Sequence, residues 1–331
     1  MLQVLKYQQK MMPLAVLGKH HLPNDIKVLS FFQSAKLSRN LLSNGKKRVF
    51  HARRNDEIIQ ALLLKYVFRA KIAIVFTTTS QRTHSWITRF LVNQADGIIT
   101  TSQAANHYIK EYRADGADII IPHGIDTERY QPCENRELLK KELGLVGKYH
   151  IGIFGRVRHQ KGIDILIKAL IPLLKNHPDF SVIICGKIMP KDEIYVAKLK
   201  KEISAAGLNS QFNFLGEQPF DEIPKLMRAM TITAAMSRNE GFGLTVLEAM
   251  ASGATVIASE AGAWKEIIEH EVDGYTVPCD DINTTQQTLE KMISSPEDLN
   301  VIAQRGRDKI IQKYKIEHEA ERLCDFLKSK N

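Results

Sequence analysis

Short apolar runs alternate with amphipathic stretches along the whole chain. The runs predict buried strands, and the stretches with helical spacing of apolar residues predict helices. Strands are predicted at residues 28–32, 48–51, 72–77, 97–100, 118–121, 150–154, 181–186, 212–216, 231–235 and 255–259. Helices are predicted at residues 55–68, 102–112 and 244–252, between the remaining later strands, and over 296–328. Because helices separate the strands, we expect largely parallel sheets in an α/β fold.

A turn-rich segment divides this pattern into two parts. Residues 121–132, IPHGIDTERYQP, contain two prolines and a glycine and interrupt the alternation. With 331 residues, the chain is long enough for two domains that each bury a core of their own. The predicted domains are residues 1–125 and residues 126–310.

Neither a membrane span nor a leader is predicted. No uncharged apolar stretch reaches the roughly 18 residues of a membrane-crossing helix. The first 18 residues place lysines inside their apolar part and lack a convincing cleavage site. The four cysteines, at 133, 185, 279 and 324, have neither metal-site nor redox-motif spacing. We therefore expect a cytoplasmic protein with free thiols.

The net charge of +9 is concentrated in the first part of the chain. Residues 1–125 hold 18 Lys and Arg against 7 Asp and Glu, whereas residues 126–331 hold 28 against 30. Such an asymmetry favours an anionic partner, either an acidic membrane surface or a phosphorylated substrate. A nucleic-acid partner is disfavoured, since no zinc-finger, RNP or helix-turn-helix motif accompanies the charge. A merely soluble basic surface is the alternative interpretation.

Two carboxylates and several glycines stand together in residues 239–259, NEGFGLTVLEAMASGATVIAS. The pattern predicts strand, loop, helix and strand, which puts the helix N-terminus at the carboxyl edge of a parallel sheet, where backbone N–H groups attract phosphate. Gly241 and Gly243 allow close approach of a ligand to the backbone. Glu240 is expected in the loop and Glu248 one turn inside the helix, so that the two acceptors flank one phosphate site. A nucleotide sugar, with hydroxyls on both sides of a diphosphate, matches this layout.

Two cations follow the strand predicted at residues 150–154. Arg156 and Lys161 lie in the string GRVRHQKG, ahead of an amphipathic helix. Each of them alone is typical of a solvated surface. At the carboxyl end of a strand, opposite the helix near Leu244, they are placed to neutralise a diphosphate. The nucleotide base is expected near Gly186 and Gly216, in the loops after two neighbouring strands, with guanine and uracil both open.

The segment 239–259 resembles the signature of the retaining family-4 glycosyltransferases, and IPHGIDTERYQP resembles their interdomain linker, with His123 where Asn is usual. The resemblance implies a GT-B fold, in which two Rossmann-like domains face each other across a cleft and a terminal helix, residues 311–331, packs back on the first domain. It implies that Arg156 and Lys161 stabilise the leaving diphosphate, that Glu240 contacts the donor sugar and that Glu248 holds the ribose. No essential metal or other cofactor is expected. The predicted donor-binding residues are Gly155, Gly186, Gly216, Gly241, Phe242, Gly243, Leu244, Thr245 and Glu248.

The first domain is predicted to bind the acceptor. Its strings HARRN and VFTTTSQRTH resemble those of the bacterial lipopolysaccharide-core mannosyltransferases of the family, whose acceptors are anionic inner-core sugars on lipid A. A lone histidine is more often structural than catalytic, but these loops follow predicted strands, where binding groups collect. The predicted acceptor-binding residues are His51, Arg53, Arg54, Gln81 and Arg82. The predicted catalytic residues are Glu240, Arg156, Lys161 and His84.

The predicted function is transfer of a hexose, mannose from GDP-mannose, to an anionic lipopolysaccharide inner-core acceptor, with retention at the anomeric carbon. The expected partners are a nucleotide sugar, an anionic glycolipid and an acidic membrane on the inner face of the bacterial inner membrane, with no nucleic acid. Two alternatives stay open, a nucleotide-sugar epimerase of similar fold and a degenerate, non-catalytic transferase. Many family members begin with a strand and a Gly-Gly loop near the donor phosphates, whereas residues 1–27 here contain only Gly18.

Overall fold

The computed structural model describes residues 2–18, 22 and 25–331. Within these residues the strands are β1 Val16–Leu17, β2 Val28–Leu29, β3 Arg48–Ala52, β4 Ile72–Thr78, β5 Gly97–Thr100, β6 Ile119–Ile120, β7 Tyr149–Phe154, β8 Phe180–Cys185, β9 Phe212–Gly216, β10 Ile232–Ala235, β11 Thr255–Ser259 and β12 Tyr275–Val277. The α-helices are α1 Leu2–Met11, α2 Phe31–Ser38, α3 Asn55–Leu62, α4 Trp86–Val92, α5 Gln103–Lys110, α6 Arg136–Glu142, α7 Ile163–Leu174, α8 Glu193–Ala205, α9 Ile223–Ala229, α10 Leu244–Ala251, α11 Trp264–Ile267, α12 Ile282–Ser294, α13 Leu299–Lys313 and α14 Ile316–Ser329. A π-helical turn, Leu63–Val67, continues α3.

The chain divides into two compact units, one formed by Met1–Gly124 with Lys315–Asn331 and the other by Ile125–Tyr314. The last helix, α14, therefore belongs to the first unit. Among the described residues, none of the helices combines the length and apolar character required to traverse a bilayer. All four cysteines are free thiols.

The first unit is built on a parallel sheet in the order β3-β4-β5-β6. Successive residues of β4 point to opposite faces of this sheet. Val75 packs in a cluster with residues of α1 and α14, and the next residue, Phe76, packs with residues of α3 and α4. Helices therefore cover both faces, which explains why β4 is buried along its whole length.

One predicted strand of the first unit is wrong in its second half. The strand expected at 28–32 ends at Leu29, and Phe31 already begins α2. The reason is a capping box at Ser30, whose hydroxyl accepts a hydrogen bond from the backbone of Gln33, while the Gln33 side chain accepts one from the Ser30 backbone. The apolar residues after Leu29 had suggested a longer strand.

The second unit is built on a parallel sheet in the order β12-β11-β10-β7-β8-β9. Its two faces carry separate clusters, one around α7, α8 and α12 and the other around α10 and the buried Trp264. From β7 the chain passes to β8 and β9 on one side and then crosses to β10 on the other. The strand order therefore reverses between β7 and β10, and ligands bind at such a position in open α/β sheets, outside the carboxyl ends of the strands.

Candidate functional site

The loops after β7 and β10 lie side by side because these two strands are hydrogen-bonded neighbours, with Ile153 opposite Ala234. The first loop carries Arg156 and Lys161, and the second carries Glu240. Lys161 Nζ and Glu240 Oε2 form an ion pair of 2.6 Å, and each side chain is about one-fifth exposed, at 21%. The predicted cation and carboxylate are thus brought together at the point of strand-order reversal.

A glycine permits the close approach of the two loops. Gly162 follows Lys161 and has a φ of +64°, in the left-handed region. A Cβ atom at this position would lie 1.9 Å from the carbonyl oxygen of Met236, in the loop after β10. Any larger residue would push the loops apart and separate Lys161 from Glu240.

Arg238 joins the same two loops by side-chain contacts. Its guanidinium donates to both carboxylate oxygens of Asp164, at 2.9 and 2.8 Å, and pairs with Asp280 at 2.6 Å. Its backbone N–H donates to the carbonyl of Gln160 at 2.8 Å. The hydrogen bond with Asp164 raises the pKa of Arg238, so the guanidinium stays protonated. These contacts of Arg238 hold the loop of Lys161 and the loop of Glu240 together, close to the Lys161–Glu240 ion pair.

Glu248 lies on α10 and is held by Tyr130, whose hydroxyl donates to Oε1 at 3.2 Å. Burial raises the pKa of Glu248, although the hydrogen bond from Tyr130 and the charge of Arg129 act in the opposite direction. Burial and the nearby carboxylate also raise the pKa of Tyr130, which keeps its hydroxyl protonated as a donor. Within the part of the chain that the structure describes, the second Glu248 oxygen accepts no hydrogen bond, so it is available to another donor such as a hydroxyl group.

The start of α10 is shaped by Gly243 and Trp264. Gly243 is the N-cap residue with a φ of +81°, and a Cβ there would lie 2.2 Å from Trp264 Nε1. The indole N–H donates to the Gly243 carbonyl at 2.8 Å, while Phe242 is buried beside it. Leu244 and Thr245 are the first two residues of the helix, so no preceding helical turn supplies carbonyl acceptors for their N–H groups. An anion at this helix start would face them directly.

The other predicted donor residues are distributed around the same sheet edge. Gly155 follows β7 and donates its N–H to the Cys185 carbonyl at 2.9 Å. The two predicted base-binding loops also meet, since the Gly186 N–H donates to the Gly216 carbonyl at 2.8 Å. Arg156 is exposed and forms no ion pair with any residue that the structure describes. Its charge is therefore available for a ligand. The remaining position, Gly241, lies between Glu240 and Phe242.

In the first unit, His51 is the fourth residue of β3 and so lies inside the strand rather than after it. Its Nε2 shares a hydrogen bond of 2.7 Å with the Thr77 hydroxyl on β4. Burial, helped by the positive charge of Arg53, lowers the pKa of His51 to about 3. His51 is therefore a neutral hydrogen-bonding group at physiological pH.

Arg53 has a buried carboxylate near it. Burial lowers the pKa of Arg53, and the charges of Glu319 and Glu57 oppose that shift. Burial alone would raise the pKa of Glu319. Its carboxylate accepts hydrogen bonds from His123 and from the Gly124 N–H, both at 2.8 Å. These bonds and the charge of Arg53 bring the pKa of Glu319 below its usual range. His123, whose role the sequence left open, thus joins the end of the segment Met1–Gly124 to α14 within the first unit.

His84 is buried and shares a hydrogen bond of 2.9 Å between Nδ1 and the Tyr112 hydroxyl. Burial and the charges of Arg82 and Arg89 lower its pKa, so His84 is neutral. The amide of Gln81 reaches Ser102 Oγ at 3.5 Å. Arg54 and Arg82 are exposed. Of the predicted acceptor-binding cations, these two present their charge to solvent, whereas Arg53 is partly buried.

Residues outside the predicted set contribute to the site of the second unit: Asp164, Arg238, Tyr130 and Trp264. Arg238 stands two residues before Glu240, and Tyr130 lies within the string IPHGIDTERYQP, but neither position indicates its partner. Asp164 lies 74 residues from Arg238 in the sequence, and Tyr130 lies 118 residues from Glu248. Pairings over such distances have no local pattern, so only the folded chain reveals them.

Comparison with known proteins places these features in a family. Residues 135–309 match the family model described as glycosyl transferases group 1. Over 83% of its length the chain is 36% identical to the lipopolysaccharide core biosynthesis mannosyltransferase LpcC of Rhizobium leguminosarum bv. viciae, and it covers 76% of that protein.

Solved structures that are similar to the chain include the following two. The C-terminal domain of a group 1 glycosyl transferase, LpcC, from Francisella tularensis is 40% identical with a TM-score of 0.56, covering 58% of this chain and 99% of that one. Anabaena Alr3699/HepE, solved in complex with UDP, has a TM-score of 0.80 at 23% identity, covering 94% of this chain and 87% of that one. The second likeness concerns the fold alone.

Proposed function

This chain belongs to the family of group 1 glycosyl transferases, and from that membership we propose that it transfers mannose from GDP-mannose to an anionic inner-core acceptor of lipopolysaccharide. The chain is a glycosyltransferase with the GT-B fold. The observation that carries the proposal is the Lys161–Glu240 pair, at the strand-order reversal of the second unit and next to the exposed Arg156. The name of the Rhizobium relative supports the sugar and the acceptor.

The second unit is proposed to bind the nucleotide sugar. Arg156 and Lys161 neutralise the diphosphate, together with the N–H groups at the start of α10. Glu240 accepts hydrogen bonds from hydroxyls of the sugar, and the donor diphosphate then competes with Glu240 for Lys161. Glu248, oriented by Tyr130, accepts hydrogen bonds from the ribose. The Anabaena protein of similar fold was solved in complex with UDP, which supports binding of a nucleotide by this chain.

The proposed chemistry is a substitution with retention at the anomeric carbon. The acceptor hydroxyl oxygen forms the new bond to this carbon while the bond to the β-phosphate oxygen breaks on the same face. The hydroxyl proton passes to the departing phosphate oxygen, so no protein nucleophile is needed. Arg156 and Lys161 stabilise the negative charge that develops on the leaving group. The protein cations take the part that a metal ion has in other transferases, so we propose that no metal is required.

The first unit is proposed to bind the acceptor. His51 and His84 are neutral and offer hydrogen bonds to sugar hydroxyls, with His84 assigned to the reacting hydroxyl. Arg54 and Arg82 are exposed and attract the phosphate or carboxylate of an inner-core sugar. Gln81 and Arg53 complete the proposed acceptor set. The excess of positive charge in residues 1–125 favours a peripheral position on the anionic inner face of the bacterial inner membrane.

The test is incubation of the purified protein with radiolabelled GDP-mannose, UDP-glucose or UDP-N-acetylglucosamine and lipopolysaccharide from a strain truncated in the inner core. We expect label on the lipopolysaccharide with GDP-mannose, and α-configured product from an α-configured donor. Nucleotide binding without transfer from any donor would overturn the proposal in favour of a degenerate transferase. Conversion of the donor sugar in the absence of acceptor would do so in favour of an epimerase.

A further inference from the structure

Two helices of the first unit expose large apolar side chains. On α3 and the π-helical turn that continues it, Ile59, Leu63 and Tyr66 are exposed, Tyr66 to 65%. Their spacing places them on one face of the helix. On α4, Trp86 is 78% exposed and Phe90, one turn later, 59%. Side chains of this size on successive turns form an unpartnered apolar surface.

This surface is additional to the face that packs on the sheet. The core face of α3 is formed by Ile58 and Ala61, and that of α4 by Leu91 and Val92, all of them buried. A helix that covers one face of a sheet needs only one apolar stripe. The outward-facing residues therefore contribute nothing to the core, which calls for a second partner.

Neighbouring contacts join the exposed residues into one region. The Asn55 amide donates to the Thr88 hydroxyl at 2.8 Å, which holds α3 beside α4. At the other end, Phe68 follows the π-helical turn and lies 6.1 Å, centroid to centroid, from the ring of Phe32 on α2. Phe32 is itself exposed. We call this region, formed by Phe32, Ile59, Leu63, Tyr66, Val67, Trp86, Ile87 and Phe90, the apolar surface.

The charge around the apolar surface indicates its partner. Residues 31–90 hold 12 Lys and Arg against 2 Asp and Glu. Lys36, Arg54, Arg69 and Arg82 are among the exposed cations. A second copy of the chain docked on the same surface would bring this positive excess against itself. An anionic bilayer matches both properties, because aromatic side chains prefer the depth of the lipid headgroups and nearby Lys and Arg side chains are attracted to the anionic lipids.

We propose that the apolar surface inserts into the headgroup region of an anionic lipid bilayer, with α3 and α4 lying in the plane of the membrane. Such helices bind in the interface without crossing the bilayer. The inference deepens the proposed function and rests on it only for the identity of the membrane, since an acceptor anchored in lipid has to be met at the bilayer surface.

The two tryptophans of the chain provide a direct test of insertion. Trp86 belongs to the apolar surface, whereas Trp264 is buried in the second unit. Vesicles of phosphatidylglycerol and phosphatidylethanolamine with brominated acyl chains quench only indoles that reach them. We expect quenching in the wild type and its loss in Trp86→Phe, which retains an aromatic ring. Equal quenching of both proteins, or of neither, would overturn the proposal.

Vesicle sedimentation measures the contribution of the surface to binding. We expect Trp86→Ser/Phe90→Ser to bind the same anionic vesicles at least about tenfold more weakly, because two exposed rings no longer enter the interface. The matched control is Ile194→Ser on α8, which replaces a residue that is 85% exposed in the second unit. Binding should fall with rising salt and be weak on phosphatidylcholine. Wild-type binding by the double variant, with an unchanged circular dichroism melting curve, would refute the inference.

Failure of this inference and failure of the proposed function give different results. Transfer to a delipidated, water-soluble core oligosaccharide tests the chemistry without a membrane. If the wild type transfers sugar to that acceptor but shows no quenching, the docking surface is wrong. If it shows quenching but no transfer, the proposed function is wrong and the docking surface stands.

Discussion

Arg238 and Asp164 form a bidentate ion pair that connects the loop after β10 to the beginning of α7, with Nη1 donating to Oδ1 at 2.9 Å and Nη2 donating to Oδ2 at 2.8 Å. The pair is largely buried, with 19% and 14% of the two side chains exposed. It lies between the backbone segments that carry Lys161 and Glu240. We infer that Arg238 is a positioning residue, which sets the distance between that cation and that carboxylate without touching substrate itself.

Arg238→Lys is expected to reduce kcat/KM for the nucleotide sugar by about 10- to 100-fold, since a lysine cannot bridge both oxygens of Asp164 and the Lys161 loop moves. Inhibition by the nucleoside alone should change little, because a nucleoside lacks the diphosphate that Lys161 is proposed to bind. Steady-state kinetics with Arg305→Lys, an exposed arginine on α13, provides the control. Wild-type kinetics in Arg238→Lys would show that the loops hold their position without the bidentate pair.

Glu240→Ala and Glu248→Ala are expected to fail in different ways. Loss of Glu240 should lower turnover, because it removes the proposed contact to the donor sugar. Loss of Glu248 should weaken nucleotide affinity by about 1 to 3 kcal/mol, the scale of a hydrogen bond to a charged group. Calorimetric titration with the nucleotide and measurement of kcat separate the two effects, with Glu193→Ala, at an exposed position of α8, as control. Identical behaviour of the two variants would refute the assignment.

Glu248→Gln is expected to increase the stability of the ligand-free protein at neutral pH while it weakens donor binding. Burial raises the pKa of Glu248 in the folded state, so the ionised carboxyl opposes folding, and this cost appears as the pH rises from the unfolded pKa through the folded one. Gln lacks the charge. In thermal melts from acid to neutral pH, the melting temperature of Glu248→Gln should rise above that of the wild type as the pH increases. A lower melting temperature for Glu248→Gln at neutral pH would contradict the pKa direction.

His51 is expected to make the first unit sensitive to acid. Its pKa of about 3 in the folded state lies below the ordinary 6.5, so the unfolded chain takes up a proton first. The contribution of the neutral His51 to the free energy of unfolding is therefore complete above pH 6.5 and is lost as the pH falls towards 3. The unfolding free energy of His51→Gln should therefore depend less on pH over this interval than that of the wild type. An imidazole signal of His51 that titrates near neutral pH in NMR would disprove the prediction.

Gly243→Ala is expected to destabilise the protein and to impair donor binding. The new Cβ would have to displace Trp264, which is buried and donates to the Gly243 carbonyl, and the backbone angle disfavours any residue with a side chain. Thermal denaturation and nucleotide titration test the two effects. Gly207→Ala also has a positive φ, but no atom lies within 4 Å of the added Cβ, so it separates the backbone cost from the clash. Equal stability of the two variants would mean that Trp264 yields without cost.

Much of the fold follows from local sequence. The buried strands Gly97–Thr100 and Thr255–Ser259 lie where they are predicted, because a short apolar run in an α/β pattern is typical of a parallel strand covered on both faces. The helix after Gly243 begins at the predicted residue. The strand predicted at 28–32 fails at Phe31 because the capping box at Ser30 outweighs the apolar run.

In the candidate site, too, local sequence predicts some features and the tertiary structure decides the others. The sequence predicts Lys161 and Glu240 in loops after strands and Glu248 inside a helix, and the structure has them there, because glycine turns and helix starts are encoded locally. The contact of Lys161 with Glu240 depends on the strand order that makes β7 and β10 neighbours. The partners Asp164 for Arg238 and Tyr130 for Glu248, and the exposure of Trp86, depend on which surfaces meet when the chain packs. Local pattern encodes backbone conformation, whereas pairing between distant residues and the solvent exposure of a side chain are properties of the assembled fold.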